Sequence, residues 1–146
     1  MATIYLATDH AGFELKEKVK KILTERKYDV KDLGAFKYEE NDDYPDYIKM
    51  AAEAVAKDPN NARAVVFGGS GQGEAMVANR YKGIRATVLY KFNKDIIRLS
   101  REHNNANVLS LGARFLSARK AIKAVELWLA TPFSGEERHA RRIAKY

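Results

Sequence analysis

The run Phe67-Gly68-Gly69-Ser70-Gly71-Gln72-Gly73-Glu74 places a carboxylate just beyond a glycine-rich turn, and the apolar residues before it read as a strand. Glycines let the backbone turn sharply and gather several N–H groups at one point, where the start of the next helix also favours negative charge. Glu74, in that helix's first turn, would reach the same point. Amide donors and a carboxylate together are what a proton-abstracting enzyme needs beside a developing oxyanion. A plainer reading fits equally well: a tight strand-to-helix turn followed by a Glu that suits the helix dipole. The run lacks the Gly-Lys-Ser/Thr ending of a nucleotide-binding P-loop and the third glycine of a Gly-x-Gly-x-x-Gly fingerprint. Nor does an acidic residue end the strand expected over Ile84 to Leu89, where a dinucleotide site would hold a ribose.

Three other segments carry groups able to do chemistry. They are Thr8-Asp9-His10-Ala11-Gly12, Asp42-Asp43-Tyr44-Pro45-Asp46 and Ser100-Arg101-Glu102-His103-Asn104-Asn105-Ala106-Asn107. Each has a structural alternative. Asp9 suits a helix cap, Pro45 a helix start, and His103 a contact with a helix C-terminus.

The elements that must position these groups follow from patterning. Strands are expected at Thr3 to Thr8, Tyr28 to Leu33, Ala62 to Phe67, Ile84 to Leu89 and Asn107 to Leu111, each rich in β-branched or other apolar residues. Helices fill the gaps, with apolar stripes at Leu15, Val19, Ile22 and Leu23 and at Ala118, Ala121, Ile122, Val125 and Trp128. Trp128 is expected in the core or at an interface. Five strands alternating with helices predict a Rossmann-like three-layer α/β/α sandwich built on a five-stranded parallel sheet. Ligands in such folds bind outside the C-terminal ends of the strands, so all four polar segments are expected along that one edge. The tail after Pro132 reads as a short basic helix from Gly135, with Arg138 and Arg142 on one face, able to reach a neighbouring subunit and to fork a phosphate.

The 146 residues fit one domain. No stretch approaches the ~20 apolar residues of a membrane span, and the N-terminus enters strand-like sequence without a signal peptide, so a cytoplasmic protein is expected. With no cysteine, disulfides, thiolate-bound zinc and thiol nucleophiles are excluded. The net charge of +7 suits an anionic partner. Basic residues crowd the tail, whereas Glu39, Glu40, Asp42 and Asp43 form an acidic cluster, and most such runs are solvated faces.

Taken in order, the motifs resemble the sugar-phosphate isomerases of the type B ribose-5-phosphate isomerase group over Thr3 to Ile143. The markers are Asp9-His10-Ala11-Gly12, Asp43-Tyr44-Pro45, Gly69-Ser70-Gly71-Gln72-Gly73-Glu74, Arg101-Glu102-His103-Asn104-Asn105, Leu111-Gly112-Ala113-Arg114 and Arg138-His139-Ala140-Arg141-Arg142. The resemblance implies interconversion of D-ribose 5-phosphate and D-ribulose 5-phosphate through a cis-enediolate, with neither metal nor organic cofactor. One branch of the group has a cysteine just before the Gly-Ser/Thr-Gly turn, the other a glutamate just after its last glycine. Gly68 and Glu74 occupy those positions here, which makes Glu74 the implied base. Ser70 and the backbone at Gly69, Gly71, Gln72 and Gly73 are implied to hold the enediolate oxygens. His103 matches the residue that assists ring opening, with Asn104 and Tyr44 as substrate contacts. Asp9 is implied to face sugar hydroxyls, while His10, Arg114, Arg138 and Arg142 face the phosphate. The group builds its sites between two subunits of a homodimer, with the C-terminal helix reaching the partner.

Two rivals remain at this point. Relatives of the same fold act on allose 6-phosphate or galactose 6-phosphate. The charge and the basic tail also suit a non-catalytic anion- or nucleic-acid-binding module, although aromatics interleaved with basic residues, as stacking platforms require, are not evident, so no nucleic-acid partner is expected.

Overall fold

The computed structural model describes residues 2–146. Its elements alternate: β1 (Thr3–Thr8), a 3-10 turn (His10–Gly12) running into α1 (Phe13–Glu25), β2 (Asp29–Asp32), α2 (Tyr44–Lys57), β3 (Ala62–Gly68), α3 (Gln72–Ala78), β4 (Ala86–Leu89), α4 (Lys94–Glu102), β5 (Val108–Gly112), α5 (Ala118–Ala130) and α6 (Glu137–Ile143). The strands form one parallel sheet in the order β2-β1-β3-β5-β4. This is the expected α/β sandwich. Strands β3 and β5 are buried almost throughout, which their unbroken apolar runs require. On one face Leu15, Val19 and Leu23 of α1 and Val125 and Trp128 of α5 pack on Val65, Phe67 and Leu109. On the other, Ile48, Ala52 and Val55 of α2 cover Ala64, Val66 and Val108.

Strands β2 and β4 are shorter than their apolar runs predict. Both are sheet edges and pair on one side only, each over four residues. The amide of Tyr28 instead bonds Leu23 at the end of α1, and that of Ile84 bonds Tyr81, so local turns take donors that a ladder would have used. Among the described residues, no helix is long and apolar enough to cross a membrane.

Strands β1 and β3 are neighbours, but the chain leaves β1 toward one face and β3 toward the other. The crevice between their C-terminal ends is where such a sheet opens to a ligand. Not every polar segment gathers there. Each helix returns the chain to the opposite edge before the next parallel strand can begin. The residues that follow α4, His103 and Asn104 among them, therefore lie at the N-terminal edge of β5, where the amide of Asn107 bonds the carbonyl of Arg85 just ahead of β4. The expectation of a single shared edge is corrected on this point.

One ion cluster ties the loop after β2 to α1. Lys16 is fully buried and its ammonium donates to both Asp32 oxygens and to the carbonyl of Ala35, each at 2.7 Å. Lys20 adds a contact to Asp32 at 2.8 Å. Burial pushes the Asp32 carboxyl up, but hydrogen bonds from Lys16 and Lys20 outweigh it and hold the group below its ordinary value. A depressed folded pKa stabilises the fold above the ordinary carboxylate range and is lost as pH falls through the folded value. Asp32→Asn leaves the buried Lys16 ammonium with only the half-exposed Glu17, at 3.2 Å, for a counter-charge and is expected to cost about 3 kcal/mol at neutral pH, a difference that shrinks toward about pH 3, read by urea denaturation at both pH values.

Candidate active site

The end of β3 sets the site. Gly71 takes a left-handed conformation (φ 81°) that starts α3, and its carbonyl accepts the Ser110 hydroxyl at 2.7 Å. Glu74 then points back from the first turn and is 4% exposed. Its carboxylate occupies the space beside Gly68 into which any side chain at that position would project. Burial raises the Glu74 pKa, the negative charge of Asp9 raises it further, and the amides of Glu74 and Gly71 act against the shift.

The end of β1 supplies the facing wall. The Thr8 hydroxyl donates to the carbonyl of Phe67 at 3.1 Å and fastens the two strand ends together. Asp9 caps the turn by accepting the Ala11 amide at 3.0 Å. Its carboxyl is also raised, chiefly by burial, with His10 opposing and Asp42 adding to the shift. Asp42 receives the His10 ring through Nδ1 at 2.7 Å.

The start of α2 brings the Tyr44 hydroxyl against Gly73, closer than a side chain at 73 would permit. From beyond β5, the Arg114 amide donates to the carbonyl of Gly69 at 3.1 Å and the guanidinium lies over the same glycine. Asp9, His10, Tyr44, Gly69, Ser70, Gly73, Glu74 and Arg114 together line a cavity of about 540 Å³. It offers a desolvated carboxylate, a hydroxyl-bearing glycine turn and a cation, a set suited to moving a proton on a small anionic molecule.

The other expected residues stand elsewhere. Gly71 is buried beneath the turn. Gln72 is exposed and faces Met76 and Asn79. His103 ends α4 at the far edge, where its ring stacks on His139 with centroids 4.0 Å apart and planes 20° off parallel. Asn104 donates to the Tyr146 hydroxyl at 3.3 Å. Arg138 is held by Glu136 at 2.9 Å, and Arg142 is exposed on the same short helix. Helix α6 thus rests on its own chain. Two residues beside the expected ones have no role of their own in the sequence reading: Asp42, named there only within a chemistry-bearing segment and an acidic run, and His139, named only within a basic motif. Burial pushes the His139 ring down, with the neighbouring His103 and Arg138 adding to the shift.

Relatives with this architecture are α/β isomerases of phosphorylated sugars. The chain belongs to the ribose/galactose isomerase family, whose model matches residues 4–146. Ribose-5-phosphate isomerase B of Mycolicibacterium paratuberculosis is 39% identical over 140 residues, covering 96% of this chain and 86% of the relative. The probable ribose-5-phosphate isomerase B of Mycoplasma pneumoniae is 39% identical over 142 residues, covering 97% and 91%. Among solved structures, ribose-5-phosphate isomerase B from Mycoplasma genitalium with bound ribulose-5-phosphate superposes with a TM-score of 0.93 at 37% identity, over 98% of this chain and 92% of that one. The Thermotoga maritima ribose 5-phosphate isomerase gives 0.90 at 43% identity, over 99% and 96%.

A raised folded pKa means that an ionised Glu74 destabilises the fold. That penalty grows as pH rises from the ordinary glutamate value through the folded one. Glu74→Gln is therefore expected to melt higher than the unmodified protein at about pH 7.5 and to lose that advantage near pH 4, as read by calorimetry at both.

Proposed function

We propose that this protein interconverts D-ribose 5-phosphate and D-ribulose 5-phosphate through a cis-enediolate, and that residues 1–146 act as one catalytic domain in the cytoplasm. The observation that carries the reading is the buried Glu74 carboxylate seated against Gly68 at the mouth of the cavity. Glu74 takes the C2 proton of the open-chain aldose and returns it to C1, while the hydroxyl proton passes from O2 to O1. Ser70 and the backbone from Gly69 to Gly73, Gln72 included, hold the two oxygens as charge develops. Asp9 and Tyr44 orient the sugar hydroxyls. His10 and Arg114 take the phosphate, with Arg138 and Arg142 at its outer side, and His103 opens the furanose ring with Asn104 beside it.

The last four come from the opposite edge of the sheet, which a homodimer reconciles. Strand β4 pairs only with β5, and Met76, Tyr90, Ile96 and Leu99 are exposed around its free side. The grooves along it run from Gln72 and Met76 at one end to His103 and Asn104 at the other. Two copies meeting there across a two-fold axis present antiparallel edges, so the His103 end of one faces the Glu74 end of the other. An apolar band of this kind is a normal sign of an interface.

Glu74→Gln is expected to lower turnover of ribose 5-phosphate by ~100-fold or more while the fold persists. The acidic limb of kcat/KM in the unmodified enzyme should lie above the ordinary glutamate value, because the base must lose its proton and its pKa is raised. Allose 6-phosphate and galactose 6-phosphate assayed alongside decide between the pentose and hexose branches, and turnover of none of them would return the protein to the anion-binding alternative. Inactive Glu74→Gln and His103→Asn proteins, mixed and reassociated, should regain about a quarter of normal activity, since each mixed dimer keeps one intact site. Absence of recovery would show that no site is shared between chains.

A further inference from the structure

We propose that Asp42 is a positioning residue that makes His10 a cationic receptor for the phosphate group; the assignment rests on the placement of His10 at the phosphate end. One oxygen of Asp42, Oδ1, accepts both the His10 amide at 3.0 Å and the ring Nδ1 at 2.7 Å. The Asp42 side chain is 8% exposed, and its second oxygen is buried without a hydrogen-bond partner. Among the described residues, no Lys or Arg stands within salt-bridge distance of this carboxylate, and the His10 imidazole is the ionisable group it touches. Asp9 stands farther off, at 4.0 Å from Nδ1. The edge of Tyr38 closes on the ring from another side, with centroids 6.0 Å apart at 85°.

This geometry fixes the chemistry of the other nitrogen. With Nδ1 donating to Asp42, Nε2 has no protein partner among the described residues, and His10 lines both the main cavity and the adjoining one that it shares with Arg114. A neutral ring would turn the Nε2 lone pair toward an arriving phosphate oxygen and repel it. A proton on Nε2 reverses the interaction, and Asp42 offsets the charge that this proton creates, as a buried carboxylate does for a working imidazole elsewhere. The same contact fixes the ring's rotation, so Nε2 and the Arg114 guanidinium can grip one phosphate from two sides. Asp42 is thereby distinguished from Glu39 and Glu40 in the same acidic run, which are exposed.

Asp42→Asn keeps the side chain's shape and the Oδ1 acceptor but removes the charge. With inorganic phosphate as the probe, its dissociation constant is expected to rise roughly 10-fold, and KM for ribose 5-phosphate by a similar factor, with kcat within about 3-fold of normal. Nitrogen-15 spectra of the His10 ring in the unmodified protein should show Nδ1 carrying the proton before phosphate is added and both nitrogens carrying one afterwards. In Asp42→Asn the second state should fail to form at matched phosphate. Adding Asp42→Asn to His10→Asn should weaken phosphate binding no further. An unchanged phosphate constant, a fall in kcat at constant KM, an additive double variant, or a resting ring protonated at Nε2 alone would each overturn the assignment. The spectrum of the unmodified protein decides even where the variant folds poorly. Phosphate binding does not depend on turnover, so an absence of isomerase activity would count against the proposed reaction and leave these arms to judge Asp42.

Discussion

A carboxylate held out of water at the end of β3 governs the architecture around it. Glu74 reaches its position because Gly68 leaves room and because Gly71, in the left-handed region, swings the chain into α3. Neither glycine would suffice on a mobile strand. Residues Ala64 to Phe67 are buried and paired on both sides, by β1 and by β5, and Gly68 is buried and paired with β5, so the floor beneath the carboxylate is rigid and dry. That dryness raises the pKa of Glu74, with Asp9 contributing from the neighbouring strand end. A carboxylate kept so dry is one that the fold bears at a cost when it ionises.

A parallel sheet delivers loops to two edges, and it does so with strict alternation. Loops that leave strands collect at one edge; loops that leave crossover helices collect at the other. Any constellation that uses both kinds is divided within a single chain, whatever its sequence. Asp9, Ser70, Glu74 and Arg114 follow strands, whereas His103, Asn104 and Arg138 follow helices. The proposed dimer would join them through a second copy in antiparallel register, at the unpaired edge of β4 with its exposed apolar neighbours. At the far edge, the stacked His103 and His139 rings show how α6 packs its one buried residue against the end of α4.

What the sequence disclosed and what it withheld have a common cause. β1, β3 and β5 were legible because strands buried on both faces must be apolar throughout, and the turn after β3 because glycines and an acidic first turn are local signals. The ends of β2 and β4 were overdrawn, since an apolar run does not reveal that a strand has a neighbour on one side only. His103 was legible as a residue able to do chemistry but misplaced, because its edge depends on the direction of α4 rather than on its own neighbours. The individual places of Asp42 and His139, which were named only within their motifs, were not legible for a further reason. Each lies in a run of like charge, where solvation is the ordinary expectation, and each is buried by a partner distant in the chain, His10 for one and His103 for the other.

The fully buried Lys16 is best understood as part of the same site, although it lies outside the cavity. Hydrophobic side chains replacing Lys16 and Asp32 together would be about as stabilising, because the desolvation cost of a buried ion pair commonly matches its Coulombic gain. What an ammonium does, and an alkyl chain cannot, is hold Asp32 and the carbonyl of Ala35 at once. Between those two anchors the backbone continues alongside β1 beyond the strand proper: Leu33 donates to Leu6, Thr8 to Gly34 and Ala35 to Thr8. The segment is thereby carried to the C-terminal edge, where it places Asp42 beside His10 and Tyr44 against Gly73. A loop so tethered presents its side chains to the cavity with little entropy left to lose. The stability given up in burying a charge is returned as a cavity already shaped for its ligand.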